Sequence, residues 1–167
     1  MRRKLFCDID GTVTDHSQRI RRWTLPSWPG NAIHPNAFSE EEVMGDKPAF
    51  ASQEALAKLS EEYDIHWITT RPAHLETVTL LWLQKHNYPV VSLTLVGNLK
   101  DKPAILKREG AALYVDDLMT DHEKAKTKLR ADVVKELKKL KVKYEIFDPV
   151  SNNWSDIVKK YRGSEGK

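Results

Sequence analysis

Short apolar runs alternate with helix-forming stretches along most of this chain. Leu5, Phe6 and Cys7 form a first apolar run that leads directly into Asp8 and Asp10 and reads as a strand. Residues 50–63 are rich in helix formers, and residues 65–69, IHWIT, have the β-branched and aromatic content of a strand. Between residues 73 and 86, Leu75, Val78, Leu81 and Trp82 recur at helical spacing. Residues 90–96 read as a third strand, 102–108 as a short helix, and 112–115 as a fourth strand that again runs into acids. Ala125, Leu129, Val133, Leu137 and Leu140 mark one face of a long helix, and residues 144–147 read as a further strand. This alternation predicts βαβ units: an α/β fold with a doubly wound, mostly parallel sheet and helices on both faces. In such sheets the binding crevice lies beyond the carboxyl ends of the strands.

One stretch breaks the pattern. Residues 14–47 show no sustained period and are punctuated by Pro26, Pro29, Gly30 and Pro35. The stretch is too short to carry a core of its own. A loop this long inside a compact domain is usually functional, and it starts beside the acids, so an irregular lid or flap is expected. There is no internal repeat or low-complexity segment, and residues 1–167 read as one domain. The last stretch, residues 161–167, reads as a frayed tail.

The candidate chemistry gathers at strand ends. Residues i and i+2 of a strand point to the same side, so Asp8 and Asp10 start close together. Two carboxylates about 5 Å apart repel by roughly 3 kcal/mol at an effective dielectric near 20, which calls for a cation between them unless one stays protonated. Taken alone, Asp10-Gly11 is equally consistent with an ordinary acidic turn. The second strand ends in Thr69-Thr70-Arg71-Pro72 and the fourth in Asp116-Asp117, while Lys102 opens the helix between the third and fourth. A parallel sheet brings all these groups to one edge. Acids from two strand ends make a hard oxygen site suited to Mg²⁺, and hydroxyls, Lys and Arg beside it suit the oxygens of a phosphoryl group. The constellation points to phosphoryl transfer.

Composition narrows the setting only a little. The chain has 167 residues, 40% apolar and 31% charged, and 27 Lys and Arg against 24 Asp and Glu give a net charge of +3. That balance permits an anionic partner without requiring one. Cys7 is the sole cysteine, which excludes a disulfide framework within the chain. It sits inside the first strand and reads as buried and inert. Asp8 and Asp10 interrupt the apolar run behind the basic start, so no signal peptide is read, and no stretch approaches membrane-spanning length. The expectation is a cytoplasmic protein with no membrane association. The histidines at 34, 66, 74, 86 and 122 show no paired ligand spacing, which argues against zinc. His16, alone behind the acids, is more often structural than substrate-contacting.

The segments DIDGT, the strand ending in Thr69, the Lys before the fourth strand, and YVDDL together resemble the four motifs of the haloacid dehalogenase superfamily of phosphatases. The resemblance spans residues 5–118, and it rests on the order and spacing of all four. It implies a Rossmann-like sheet and a Mg²⁺-dependent covalent mechanism. Asp8 would be the nucleophile that becomes an aspartyl phosphate. Asp10 would protonate the leaving oxygen and then activate water, a role that calls for a raised pKa. Mg²⁺ would be held by Asp8, the Asp10 carbonyl and Asp117, with Asp116 nearby or acting through water. Thr69 would donate to the phosphoryl group, with Thr70 beside it, and Lys102 would neutralise Asp8 and the phosphate. Lys100 is the rival for that role, but Lys102 precedes Pro103 at a position favourable for a first helical turn. Arg71 resembles a substrate-facing Arg of some relatives, and a loop salt bridge is its other reading. The presence of Asp10 fits phosphatase rather than dehalogenase chemistry.

Family members differ mainly in inserted caps, and this chain has room only for a minimal one. An open site admits a large substrate, or is closed by a second copy of the chain. The layout is similar to small nucleotidases and to the phosphatase domains of polynucleotide repair enzymes, so a nucleotide or a phosphorylated polynucleotide end is the expected substrate. Arg19, Arg21, Arg22, Trp23 and Trp28 bring cations and rings on which bases could stack, although such rings also pin loops onto cores. The Lys-rich residues 124–143 read chiefly as the wet face of an amphipathic helix. Two rival functions remain: a phosphatase of a small sugar or metabolite phosphate, and a non-catalytic module that binds nucleic acid or protein.

Overall fold

In the computed structural model, which describes residues 1–24, 33–119 and 129–163, strand β1 (Arg3–Cys7) lies at the centre of the sheet. Its Leu5, Phe6 and Cys7 are all buried, as a strand covered on both faces requires. Around it stand β4 (Tyr63–Thr69), β5 (Ser92–Leu95), β6 (Ala111–Asp116) and β7 (Tyr144–Ile146), in the order β5-β4-β1-β6-β7 with every pairing parallel. The expected α/β fold is therefore found. Four of the five predicted strands match closely; β5 is shorter than residues 90–96 and only half-buried, as an edge strand.

The pleat divides the core in two. Leu5, Cys7, Ile65, Trp67, Leu113 and Val115 face α3 (Ser52–Leu59), α4 (Glu76–Lys85) and α7 (Trp154–Tyr161). Phe6, Ile68 and Tyr114 face α5 (Lys102–Arg108) and α6 (Ala131–Lys139). Each interior strand thus presents apolar side chains to both layers. In α4, Val78 and Trp82 take the buried face, with Leu75 packed just ahead of the helix, whereas Leu81 points outward and is half exposed.

Three expectations are corrected. The helix predicted through Ala125 begins only at Ala131: Leu129 instead makes an antiparallel bridge to Met119, and Ala125 lies outside the described residues. Tyr161 is not part of a frayed tail: it ends α7 and is buried against the sheet layer, while residues 164–167 lie outside the described residues. Nor is the stretch 14–47 irregular throughout. Strands β2 (Thr14–Asp15) and β3 (Lys47–Pro48) pair antiparallel, and α1 (Ser17–Trp23), a 3₁₀ turn (Pro35–Phe38) and α2 (Glu40–Met44) lie between them. Val43 of α2 packs on Leu75 and Val78, so tertiary contact supplies the order that periodicity lacked. Pro26, Trp28, Pro29 and Gly30 fall outside the described residues. Among the described residues, no helix is long and apolar enough to cross a membrane.

Candidate active site

The loop after β1 is wound around one carbonyl. The N–H groups of Thr12, Val13 and Thr14 all point to the Ile9 carbonyl, at 3.1, 3.0 and 3.2 Å. Gly11 turns the loop at φ +78°, and a Cβ there would stand 2.3 Å from Asp117 Oδ2. Both the left-handed backbone and the close approach need glycine. Trp154, at the start of α7, donates its indole N–H to the Thr12 carbonyl at 2.8 Å, fixing the loop from the far end of the chain.

This winding sends Asp8 and Asp10 to different partners. Asp8 Oδ1 accepts from Lys102 Nζ at 2.8 Å, and Asp8 Oδ2 from the Thr12 hydroxyl at 3.1 Å. Asp10 instead meets Arg71, whose Nε and Nη2 donate at 3.0 and 2.7 Å, and Arg19, whose Nη2 donates at 2.9 Å. Among the side chains, Lys102 thus serves Asp8, while Arg71 and Arg19 serve Asp10. Asp116 repels Asp8 more than Asp10 does: burial first, then the Asp116 charge, with Asp10 adding less, pushes its carboxyl up to about 7.

Lys102 is the hub of the second strand end. Its ammonium, 1% exposed, also donates to Asp116 Oδ2 at 3.0 Å. Burial alone would push this amine down, but Asp116 and Asp8 together hold it above its ordinary value. Asp116 further accepts from the Tyr114 hydroxyl and from the Leu118 N–H. Against the cost of burial, Lys102 and then these donors hold it below the usual carboxylate range. Asp117 is half-buried, and its side chain accepts from the Met119 N–H at 3.3 Å. Burial and the charges of Asp116 and Asp8 push it well up.

Oxygens of Asp8, Asp116 and Asp117 lie within 4.8 Å of one another. Three carboxylates faced by one ammonium form a site short of positive charge, and an all-oxygen donor set of this size fits a hard divalent cation such as Mg²⁺. Asp117 has more lone pairs to offer than Asp116, which Lys102, Tyr114 and Leu118 already engage.

The remaining expected residues divide. Thr69 ends β4, and its hydroxyl accepts from the Arg71 N–H at 3.2 Å. Thr69 and Thr70 line a narrow recess together with Asp8, Asp10, Leu99, Lys102 and Asp116. Of the two readings of Arg71, substrate-facing or ion-paired, the structure shows an ion pair with Asp10. It is buried, and its guanidinium is taken up by Asp10 and by the Thr79 hydroxyl at 3.0 Å. Asp10 differs from the expected raised acid: burial pushes it up, but Arg71 and then Arg19 outweigh burial and hold it well below the ordinary range. Lys100 stays apart, its N–H capped by the Asn98 side chain at 2.9 Å.

Arg19 is 3% exposed rather than a solvated lid cation, and Arg22 forms a double contact with Glu42 at 2.7 and 2.9 Å. Trp23 stacks on His34. Sequence reasoning missed Thr12, Tyr114 and Asp46 as members of the site. Thr12 and Tyr114 lie within the DIDGT and YVDDL segments and bond carboxylates only four and two residues away, so the motifs themselves could have found them, whereas Asp46 acts through Arg19, 27 residues away. The chain matches no protein-family model and no curated protein sequence, so the functional reading rests on this geometry and on the motif order.

The charge balance predicts a pH effect in protein stripped of divalent ions. Asp8 titrates at about 7 when folded and near 4 when unfolded. The folded state therefore binds the extra proton, and stability falls as pH rises from about 4 to about 7. Asp10, shifted the other way, adds stability above about pH 4 that is lost only on further acidification. Thermal melts between pH 4.5 and 8 in EDTA should show the fall. Mg²⁺ should reverse it at pH 8 and do little at pH 4.5.

Proposed function

We propose that this protein is a Mg²⁺-dependent phosphomonoester hydrolase that works through an aspartyl phosphate on Asp8. The observation that carries the reading is the convergence of Asp8, Asp116 and Asp117 around Lys102, with Asp10 held on separate cations. The motif order that resembles the haloacid dehalogenase superfamily supports it. A bound Mg²⁺ would supply neutralisation of phosphoryl charge beside the nucleophile.

The chain's own residues account for the remaining steps. Asp8 attacks phosphorus, the bond from phosphorus to the leaving oxygen breaks, and that oxygen takes a proton from Asp10. Water then gives a proton to Asp10 and attacks the aspartyl phosphate, releasing phosphate and the Asp8 carboxylate. Thr69 and Thr70 donate to the phosphoryl oxygens, and Lys102 orients Asp8 and offsets its charge. The two arginines favour ionised Asp10, the form that serves the second step.

A nucleotide or phosphorylated polynucleotide end is the substrate class we favour. Phe50 supports it: the ring is 93% exposed and follows Ala49, whose N–H bonds the Val13 carbonyl of the Asp8 loop at 2.7 Å. An exposed ring beside such a loop offers a base a face to stack on.

The test is hydrolysis of p-nitrophenyl phosphate with Mg²⁺ and with excess EDTA, followed by nucleoside monophosphates, end-phosphorylated oligonucleotides and sugar phosphates. Turnover that vanishes in EDTA, and is faster for base-bearing esters in a manner lost in Phe50→Ala, is expected. Faster turnover of sugar phosphates would favour a metabolite phosphatase. No hydrolysis of any ester, with salt-sensitive nucleic-acid binding, would replace the enzyme by a binding module.

A further inference from the structure

Beside the acidic cluster, Arg71, Asp10, Arg19 and Asp46 form a buried chain of alternating charge. Arg19 Nη2 reaches Asp10 Oδ1 and Asp46 Oδ2, both at 2.9 Å, its Nε reaches Asp46 Oδ1 at 3.0 Å, and its Nη1 donates to the Ala37 carbonyl at 2.8 Å. Asp46 is itself fixed to the core layer, because its carbonyl accepts the Trp82 indole N–H at 2.9 Å. Arg19 and Asp46 are each at most 6% exposed, so their contacts are little diluted by solvent. Both belong to residues 14–47, outside the strand ends that hold the other acids.

The three carboxylates that converge within 4.8 Å do not include Asp10. Yet Asp10 is two residues from Asp8, and a divalent ion among three carboxylates would attract a fourth strongly in a site of low dielectric. Something must hold it back. We propose that Arg19 and Asp46 are positioning residues for Asp10: Asp46 fixes Arg19, and Arg19, with Arg71, keeps the Asp10 carboxylate out of the cation site. The inference rests on the phosphatase reading for its catalytic meaning. It also makes α1, which carries Arg19, and the turn before β3, which carries Asp46, part of the reacting assembly.

Metal binding alone tests it. Mn²⁺ binding to the whole protein would be followed by electron paramagnetic resonance for wild type, Arg19→Met, Asp10→Asn and the double variant. Arg19→Met is expected to bind Mn²⁺ about tenfold more tightly, a coupling usual for contacting charged groups. The gain is expected to vanish in the Asp10→Asn background and to shrink in Arg19→Lys. Asp46→Asn, which keeps the shape of the side chain, is expected to move affinity the same way by less, and carries the same cycle if Arg19→Met does not fold. Equal tightening with and without Asp10 would mean only that a nearby cation had been removed, and would overturn the inference while leaving the phosphatase reading intact. Unchanged affinity would overturn it too. A wild type that binds no Mn²⁺ would overturn the phosphatase reading, and the inference with it.

Discussion

Asp8→Asn is expected to lose hydrolysis of p-nitrophenyl phosphate by roughly 10³- to 10⁶-fold, the range seen when a covalent nucleophile is removed. The same variant is expected to be more stable than wild type at pH 8 in EDTA. Asp8 is pushed up to about 7 by burial and by Asp116, so its ionisation costs folding free energy at any pH above its unfolded value and costs it in full above about 7. An uncharged Asn removes that cost while Lys102 continues to serve Asp116. Inactivation together with a higher melting temperature separates a missing nucleophile from a damaged fold. Activity retained above a hundredth of wild type would exclude Asp8 as the nucleophile.

Lys102→Met is expected to be the most destructive single change to the fold. Methionine nearly matches the length of the Lys102 side chain, so the loss is chiefly that of charge. Asp8 and Asp116 would remain buried with no ammonium between them, and breaking a buried pair in this way typically costs about 3–5 kcal/mol. In urea at pH 7 without divalent ions, the unfolding midpoint should fall accordingly. The deficit should narrow toward pH 4.5, where Asp8 is protonated in the folded state. Mg²⁺ should raise the melting temperature of the variant more than that of wild type, since it would replace the missing positive charge. Lys100→Met is the control, and it should change neither stability nor turnover appreciably. A Lys102→Met protein as stable as wild type at pH 7 would contradict the coupling described.

The strand ends were legible because they are local. Apolar runs closing on Asp8, Thr69 and Asp116 fix both the parallel sheet and the edge at which the acids meet, since β-sheet polarity follows from the βαβ connections. Lys102 was legible for the same reason, through Pro103 and the start of a helix. Arg19 and Arg71 were not, because nothing local distinguishes a solvated arginine from one buried against Asp10. That distinction depends on Asp46, brought to Arg19 from 27 residues away, and on Thr79 of α4, which meets the Arg71 guanidinium. The helix α7 could have been read from Trp154, Ile157, Val158 and Tyr161, at offsets of three, four and seven, behind an Asn153–Asp156 capping box. The start of α6 could not, because Leu129 continues the apolar period yet pairs as a bridge with Met119.

The bond from the Trp154 indole to the Thr12 carbonyl also orders events in time. A ribosome delivers the Asp8 loop among the first residues of this sequence and the residue that braces it among the last. The strands β1, β4 and β6 all precede Trp154 in synthesis, so the Asp8 loop lacks one of its supports until nearly the whole of this sequence has been made.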